Sequence, residues 1–322
     1  MCQPTPLTKN SFFWSCHHFD SSARHHFVNE VLVLDGKIAA QKIIQKLKQE
    51  VDVFPIKGLR VPGLAVIQVG ENPASSAYIR QKKKAAEECG FHFEHLKISN
   101  TSSKSDVAKV IKNCAAQENL DGILLQLPLD SEPQMSAEDT SELLDLIPPG
   151  KDADGLHSFN QGKLFTGEST PDSWAYPIPA TPLGIYRLLE HYGLDPSGTD
   201  ITVVGKSRLV GLPTSVIMTH KQATVTICNR LTKNLKEKTA HADIVIVAAG
   251  KKHLISSEFL KPGAIVIDVG IHVQENGKLT GDVHPESHSK CKAYSPVPGG
   301  VGPMTVASLM ENTFRLRVSK IA

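Results

Sequence analysis

The chain predicts an α/β fold in two domains, and three observations predict it. Short apolar runs at 64–69, 122–127, 200–204, 243–248 and 264–269 alternate with stretches of helical period. That alternation belongs to a mostly parallel sheet covered on both faces. A connection rich in Pro and Gly, 148–180, divides the alternation into two blocks. Within the second block, Gly205 follows a strand and precedes a helix, the local geometry of a Rossmann-like dinucleotide-binding unit. The predicted units are an extension at 1–30, a catalytic domain at 31–150 and a nucleotide domain at 180–303. A last helix, 304–322, packs back on the first domain.

The elements can be justified in order. Residues 1–30 are polar, with no sustained apolar period, so disorder is the expectation there. Acidic residues are scarce in that segment, as in an organelle transit peptide, but Lys9 and Arg24 are its only basic side chains. A cytoplasmic protein is the expectation, with the mitochondrial matrix as the alternative if 1–30 is a transit peptide. Asp35 caps a helix whose apolar positions are Ile38, Ile43, Ile44, Leu47 and Val51. After the 64–69 strand, Asn72 and Pro73 are a cap and a first-turn proline, opening a helix that Gly90 stops. A strand near 91–98, a helix at 105–117, the 122–127 strand and a helix at 136–146 complete the first block. The second block reads as a helix at 183–192, a strand at 200–204, a helix from Val210, a strand at 223–228, a short helix and two further strands.

Composition excludes several classes of function. Of 322 residues, 40% are apolar and 21% charged, and the formal net charge is +2, which favours neither a nucleic-acid nor an acidic-membrane partner. No apolar run approaches the roughly 20 residues that span a bilayer. The six cysteines form no Cys-x-x-Cys and the fourteen histidines show no ligand spacing, so neither a disulfide framework nor a metal site is expected.

Four stretches carry chemistry. Tyr78 and Lys82 lie four apart on the second helix and so share a face, although that spacing alone is common on solvated helices. Leu125-Gln126-Leu127-Pro128 ends a strand, where open α/β sheets place ligands. Lys151-Asp152-Ala153-Asp154-Gly155 opens the long connection. A carboxylate on such a loop accepts two parallel hydrogen bonds from a ring with adjacent N–H donors. Pro296-Val297-Pro298-Gly299-Gly300-Val301-Gly302-Pro303-Met304-Thr305 is dense enough in Pro and Gly to bring backbone close to a ligand.

The second block adds Gly205-Lys206-Ser207-Arg208, with serine in place of the second glycine of Gly-x-Gly-x-x-Gly. Arg230 follows the next strand, where dinucleotide folds meet the adenine ribose. Lys206, Arg208 and Arg230, with no acid beside them, point to the 2′-phosphate of NADP.

Together these motifs resemble the bifunctional methylenetetrahydrofolate dehydrogenase/methenyltetrahydrofolate cyclohydrolase family over 31–318. The motif at 267–271, Ile-Asp-Val-Gly-Ile, belongs to the same pattern. The resemblance implies that Tyr78 stacks on the folate, Lys82 is essential to the cyclohydrolase, Gln126 holds Lys82, and Asp154 binds the pterin. It implies further that Leu125, Leu127 and Pro296 to Met304 line the folate cleft. Gly205, Lys206, Ser207, Arg230 and Ile271 would hold the cofactor, and the protein would be a homodimer acting on tetrahydrofolate derivatives in one-carbon metabolism and purine biosynthesis.

The chain departs from the family pattern in places. Ala180 stands where cysteine is frequent, and neither chemical step requires that thiol. Lys206 replaces arginine. Arg230 replaces the serine of many NADP users; members that use NAD with magnesium and phosphate can carry arginine there, but they tend to have an acid where this chain has Gln222. NADP is therefore expected, with NAD as the alternative. The segment 166–176 is slightly long. A short-chain dehydrogenase also uses Tyr-x-x-x-Lys, but places its glycine loop before the tyrosine. A folate- or nucleotide-binding protein without catalysis would not need Lys82, Gln126 and Asp154 together.

Overall fold

The computed structural model describes residues 26–321, residue 29 excepted. The chain opens with an antiparallel hairpin, β1 (His26–Val28) and β2 (Val31–Val33), turned at Glu30 with φ 68°. One expectation is corrected here: residues 26–28 are a strand rather than disordered extension. β2, unforeseen in sequence, lies within the span expected for the first domain but pairs with the sheet of the second block. The rest of the expected extension lies outside the described residues.

α1 (Gly36–Asp52) starts where the Asp35 carboxylate accepts the amides of Lys37 and Ile38. Its buried stripe is Ala39, Ala40, Ile43, Ile44, Leu47 and Val51, while Ile38 is exposed. Ile38 and Ile43 are five residues apart, about 140° around the helix, so they cannot share a face.

β3 (Gly63–Val69) is buried along its whole length, as the central strand of a parallel sheet must be. α2 (Pro73–Glu88) follows, with Asn72 accepting the amides of Ala74 and Ser75. β4 (His92–Ile98) alternates exposed and partly buried positions, as befits an edge. α3 (Lys104–Ala116) and α4 (Ala137–Leu144) each begin with a capping box, Ser103 with Asp106 and Ser136 with Asp139. Between them β5 (Gly122–Leu125) pairs with β3, giving the parallel order β4-β3-β5. β5 stops two residues earlier than the apolar run suggests, although the Gln126 amide still donates to the Ile67 carbonyl at 2.8 Å.

The connection at 148–180 is not structureless. It contains α5 (Ser158–Phe165), and Asp152 lies beside Ile123 as a parallel bridge on the edge of the first sheet. α6 (Ala180–His191) then leads into the second block.

That block runs β6 (Asp200–Val204), α7 (Gly211–His220), β7 (Thr224–Cys228), α8 (Leu235–Ala240), β8 (Ile244–Val247) and β9 (Ile265–Asp268). A small ribbon of β10 (His272–Val273) and β11 (Leu279–Thr280) precedes β12 (Ala293–Tyr294). The large sheet has the order β1-β2-β12-β9-β8-β6-β7, parallel apart from the first pair. β2 therefore closes the second domain's sheet by pairing with β12.

The chain ends with α9 (Val301–Val318), three residues longer at its start than the sequence suggests. It is buried on nearly every side and packs against α1, α6, β3 and β5. A helix enclosed all round must satisfy its polar side chains internally. Glu311, fully buried, is paired with the Arg187 guanidinium of α6 at 2.9 Å. The pair belongs to a wider network, since Arg315 also donates to Glu311 at 2.9 Å and Arg187 also donates to Glu190 at 2.8 Å. One apolar cluster reaches from Leu64 through Leu183 and Met310 to Ile201, so α6 and α9 join the two blocks through a continuous core.

Candidate active site

The site grows from the carboxyl end of the first sheet. The helical period of α2 brings Tyr78 and Lys82 to one face, and β3 beneath them fixes which face it is. Lys82 is buried, with 4% exposure, and its Nζ lies 4.7 Å from the centre of the Tyr78 ring. Nζ donates to Gln126 Oε1 at 2.7 Å. Gln126 is itself held, because its Nε2 donates to the Leu127 carbonyl at 2.7 Å. That second bond fixes which amide atom faces the lysine.

Burial pushes the Lys82 ammonium down to about 8, and the nearby Asp154 carboxylate opposes the shift. Burial pushes Asp154 up to about 6, with Lys82 opposing and Asp152 adding to the rise. The two groups thus sense each other across the cleft. Near neutral pH the pair is mainly ionised, while about a tenth of the lysine is a free amine at pH 7. The Tyr78 hydroxyl, whose pKa burial raises, lies 3.4 Å from the Gly302 carbonyl of α9.

Asp154 owes its position to its neighbours in the motif. Lys151 is structural: its ammonium donates to the carbonyls of Ala115 and Gln117 at 2.8 and 2.6 Å, capping the end of α3. The buried Asp152 carboxylate accepts the His157 amide at 2.9 Å and Asn160 Nδ2 at 2.8 Å. Gly155 has φ 67°, and a Cβ there would lie 2.3 Å from the Ile178 carbonyl carbon, so only glycine fits. Asn312 of α9, missed by sequence reasoning, donates from Nδ2 to the carbonyls of Ala153 and Ile178 at 2.9 and 2.7 Å. Its Oδ1 accepts from Trp174 Nε1 at 2.9 Å, which anchors the long 166–176 segment. Ala180 begins α6 and donates its amide to the Asp154 carbonyl at 3.1 Å, a contact that needs no side chain.

The Pro296–Thr305 stretch divides into two parts. Pro296 to Gly300 form a tight loop, with the Gly300 amide on the Pro296 carbonyl and the Gly36 amide on the Gly299 carbonyl, both at 2.8 Å. Val301 to Met304 are the first turn of α9 rather than loop. Pro298 is exposed, and Pro296, Val297, Gly299, Gly302 and Pro303 are partly exposed. Met304 is wholly buried in the main core, Val301 is buried beside it, and Leu125 belongs to the core of the first sheet. The side chains of Leu125 and Met304 therefore lie in the core, and Leu127 is half-buried.

At the second sheet Gly205 has φ 133°, and a Cβ would lie 2.2 Å from the Ala248 carbonyl. Gly211 is equally required, since its Cβ would strike the Gly205 carbonyl at 2.0 Å. Lys206, Ser207 and Arg230 are exposed around this turn, and Ile271 is 59% exposed. Arg208 does not join them. Its guanidinium turns to Ser141 and to the Leu156 carbonyl, so the expected cluster of three cations becomes two. Near Ile271, the buried Asp282 carboxylate accepts the amides of Ala249 and Gly250 at 2.7 and 2.8 Å and lies 2.7 Å from His272 Nε2. This clamp, also unforeseen, fixes the strand ends beside Ile271. No group of His, Cys, Asp and Glu among the described residues has the arrangement of a metal site.

Fold and geometry together define a two-domain α/β protein with a buried lysine in one domain and a glycine turn between strand and helix in the other. Comparison with known proteins makes the class specific. Residues 34–154 match the tetrahydrofolate dehydrogenase/cyclohydrolase catalytic domain, and residues 179–320 match the NAD(P)-binding domain of the same family. The chain is 44% identical over 294 residues to the bifunctional protein FolD of Sulfurihydrogenibium sp. strain YO3AOP1, covering 90% of this chain and 99% of that one. Among solved structures, the bifunctional FolD of Campylobacter jejuni is similar at 38% identity and TM-score 0.83, covering 89% of this chain and 99% of that one. The Trypanosoma brucei FolD complexed with NADP cofactor and inhibitor is similar at 31% identity and TM-score 0.83, with 90% and 98% covered. The chain belongs to the tetrahydrofolate dehydrogenase/cyclohydrolase family, and it is an enzyme with both of those activities. No described helix is long and apolar enough to cross a membrane.

Proposed function

We propose that the protein oxidises 5,10-methylenetetrahydrofolate with NADP and hydrolyses the resulting methenyl cation to 10-formyltetrahydrofolate, with Lys82 as the group that separates the two steps. In the first step a hydride leaves the methylene carbon with its bonding electrons and joins the nicotinamide. The folate is oxidised to the methenyl cation and the nucleotide is reduced. No proton has to be removed, so this step asks the protein chiefly for position. In the second step water adds to the cationic carbon and gives up one proton; the bond from that carbon to N5 then breaks, N5 keeping the electron pair and taking the remaining hydroxyl proton, which leaves the formyl group on N10. The proton given up first needs an acceptor.

The observation that carries the reading is the Lys82 amine, buried, bound to a fixed Gln126 oxygen and held over the Tyr78 ring. Its lowered pKa supplies a free-amine fraction at working pH, and a cationic substrate beside it lowers the pKa further. Asp154 is assigned to the pterin, whose adjacent N–H donors match a carboxylate. Tyr78 stacks on the folate, and Pro296 to Pro303 line the cleft opposite. Gly205 and Ser207 seat the pyrophosphate, Lys206 and Arg230 meet the 2′-phosphate, and the Ile271 backbone borders the nicotinamide. NADP use is supported by those two exposed cations and by the NADP bound in the T. brucei relative. A homodimer, cytoplasmic or mitochondrial residence and a supply role for purine synthesis accompany this reading as proposals.

The test is Lys82→Arg, assayed for methenyl hydrolysis and NADP reduction on one preparation. Arginine keeps a cation in the cleft but cannot act as a base. Loss of a positioned base costs about 10²–10⁴ in rate, so hydrolysis should fall by that factor while hydride transfer falls far less. Hydrolysis at near the wild-type rate would remove Lys82 from the mechanism.

A further inference from the structure

Arg208 lies in the glycine turn of the second domain, yet its side chain bonds entirely to groups outside it. Nη1 donates to the Ser141 hydroxyl on α4, and Nη2 donates to the Leu156 carbonyl at 2.8 Å. The Arg208 carbonyl in turn accepts from Gln161 Nε2 of α5 at 3.0 Å. Leu156 is two residues beyond Asp154, on the loop that Asp152 braces through His157 and Asn160. Asp145, at the end of α4, accepts the Ser158 amide and hydroxyl at 2.8 and 2.6 Å, and the Arg208 charge helps to hold its pKa down. One half-buried guanidinium therefore ties the loop carrying Asp154 to the loop carrying Gly205, Lys206 and Ser207.

We propose that Arg208 is a positioning residue for hydride transfer, setting the separation between the folate and the nicotinamide. The inference rests on the reading above that Asp154 anchors the pterin and the Gly205 turn holds the cofactor. Hydride transfer is the one step whose two reactants are held by different domains. A misplacement of about 1 Å there costs on the order of a hundredfold in rate. Hydrolysis uses Lys82, Gln126 and Asp154, all on the folate side, and is indifferent to that separation. The guanidinium suits the task because its rigid planar fork bonds two partners in one orientation, which a lysine cannot do.

Arg208→Ala is measured for NADP Kd by calorimetry, for the kcat of both activities and for Tm. The expected result is a dehydrogenase kcat lower by about tenfold or more, with NADP Kd and hydrolysis changed less than about threefold. Arg208→Lys should recover only part of the loss. Ser141→Ala should lower dehydrogenase kcat in the wild type but add nothing in the Arg208→Ala background, because the two changes break one contact. A tenfold weaker NADP Kd with kcat intact would make Arg208 a cofactor contact and overturn the proposal. Equal falls in both activities alongside Tm would make it a structural brace, and an unchanged dehydrogenase kcat would leave it no role; either result overturns the proposal too. The underlying cofactor reading is checked separately with Lys206→Ala plus Arg230→Ser. An unmoved NADP Kd in that double variant sinks the cofactor reading, whatever Arg208→Ala shows.

Discussion

The two halves of the proposed active site are built by opposite means. On the proposed folate side, Lys82 and Gln126 are buried, linked by a short hydrogen bond, and beside a group whose pKa burial has moved. On the proposed nucleotide side, Lys206, Ser207 and Arg230 stand in solvent, and the backbone of Gly205 and Gly211 carries the shape. The difference follows the chemistry. A base must be desolvated and aimed before substrate arrives, or it remains an ordinary charged lysine. A cofactor that binds and leaves needs only a preformed turn and mobile charges around it. Changes on the folate side should therefore cost more, and depend more on pH and less on salt, than changes on the nucleotide side.

On folate affinity, Asp154→Ala should show the largest effect. Losing one partner of a charged, doubly hydrogen-bonded contact costs about 2–5 kcal/mol, so folate affinity should fall thirtyfold or more and both activities with it. Unchanged folate binding in a calorimetric titration would break the comparison at its strongest point.

A pH profile sharpens it next. The free-amine fraction of Lys82 grows as pH rises through about 8, so the kcat/KM of wild-type hydrolysis, which reports the free enzyme, should rise by about tenfold or more between pH 6 and 8 and level off above. Dehydrogenase kcat should stay flat over that window. Below about pH 6 the Asp154 carboxylate takes up its proton, so folate affinity should weaken for both reactions. A hydrolysis rate that is flat from pH 6 to 8 would deny Lys82 its role.

Gln126→Ala should come third. It leaves the amine without its fixed acceptor, so hydrolysis should drop about tenfold as Lys82 drifts, while hydride transfer weakens by less. Unchanged hydrolysis would mean that Gln126 does not place the amine.

The smallest effect belongs to the exposed cations. Lys206→Ala plus Arg230→Ser should raise the NADP KM by about tenfold at low salt, less near 0.15 M, and leave NAD nearly unmoved, because exposed charges are screened over about 8–10 Å. A wild-type preference for NAD with magnesium and phosphate would reverse the cofactor choice.

Much of this protein is decided locally. Asn72 with Pro73, Ser103 with Asp106, and Ser136 with Asp139 start helices through contacts within four residues, so these boundaries are legible in sequence. The shared face of Tyr78 and Lys82 follows from the helical period, and the left-handed turns at Gly155 and Gly205 from the absence of a Cβ. What sequence leaves open depends on partners far away in the chain. β2 joins the second sheet because β12, some 260 residues later, offers its edge. Asn312 steadies the Asp154 loop across 159 residues. Arg208 looks like one more phosphate cation until the folded chain brings Ser141 and Leu156 to it. Burial, which lowers the pKa of Lys82, is likewise a property of the packed whole, because desolvation requires walls that no single segment supplies.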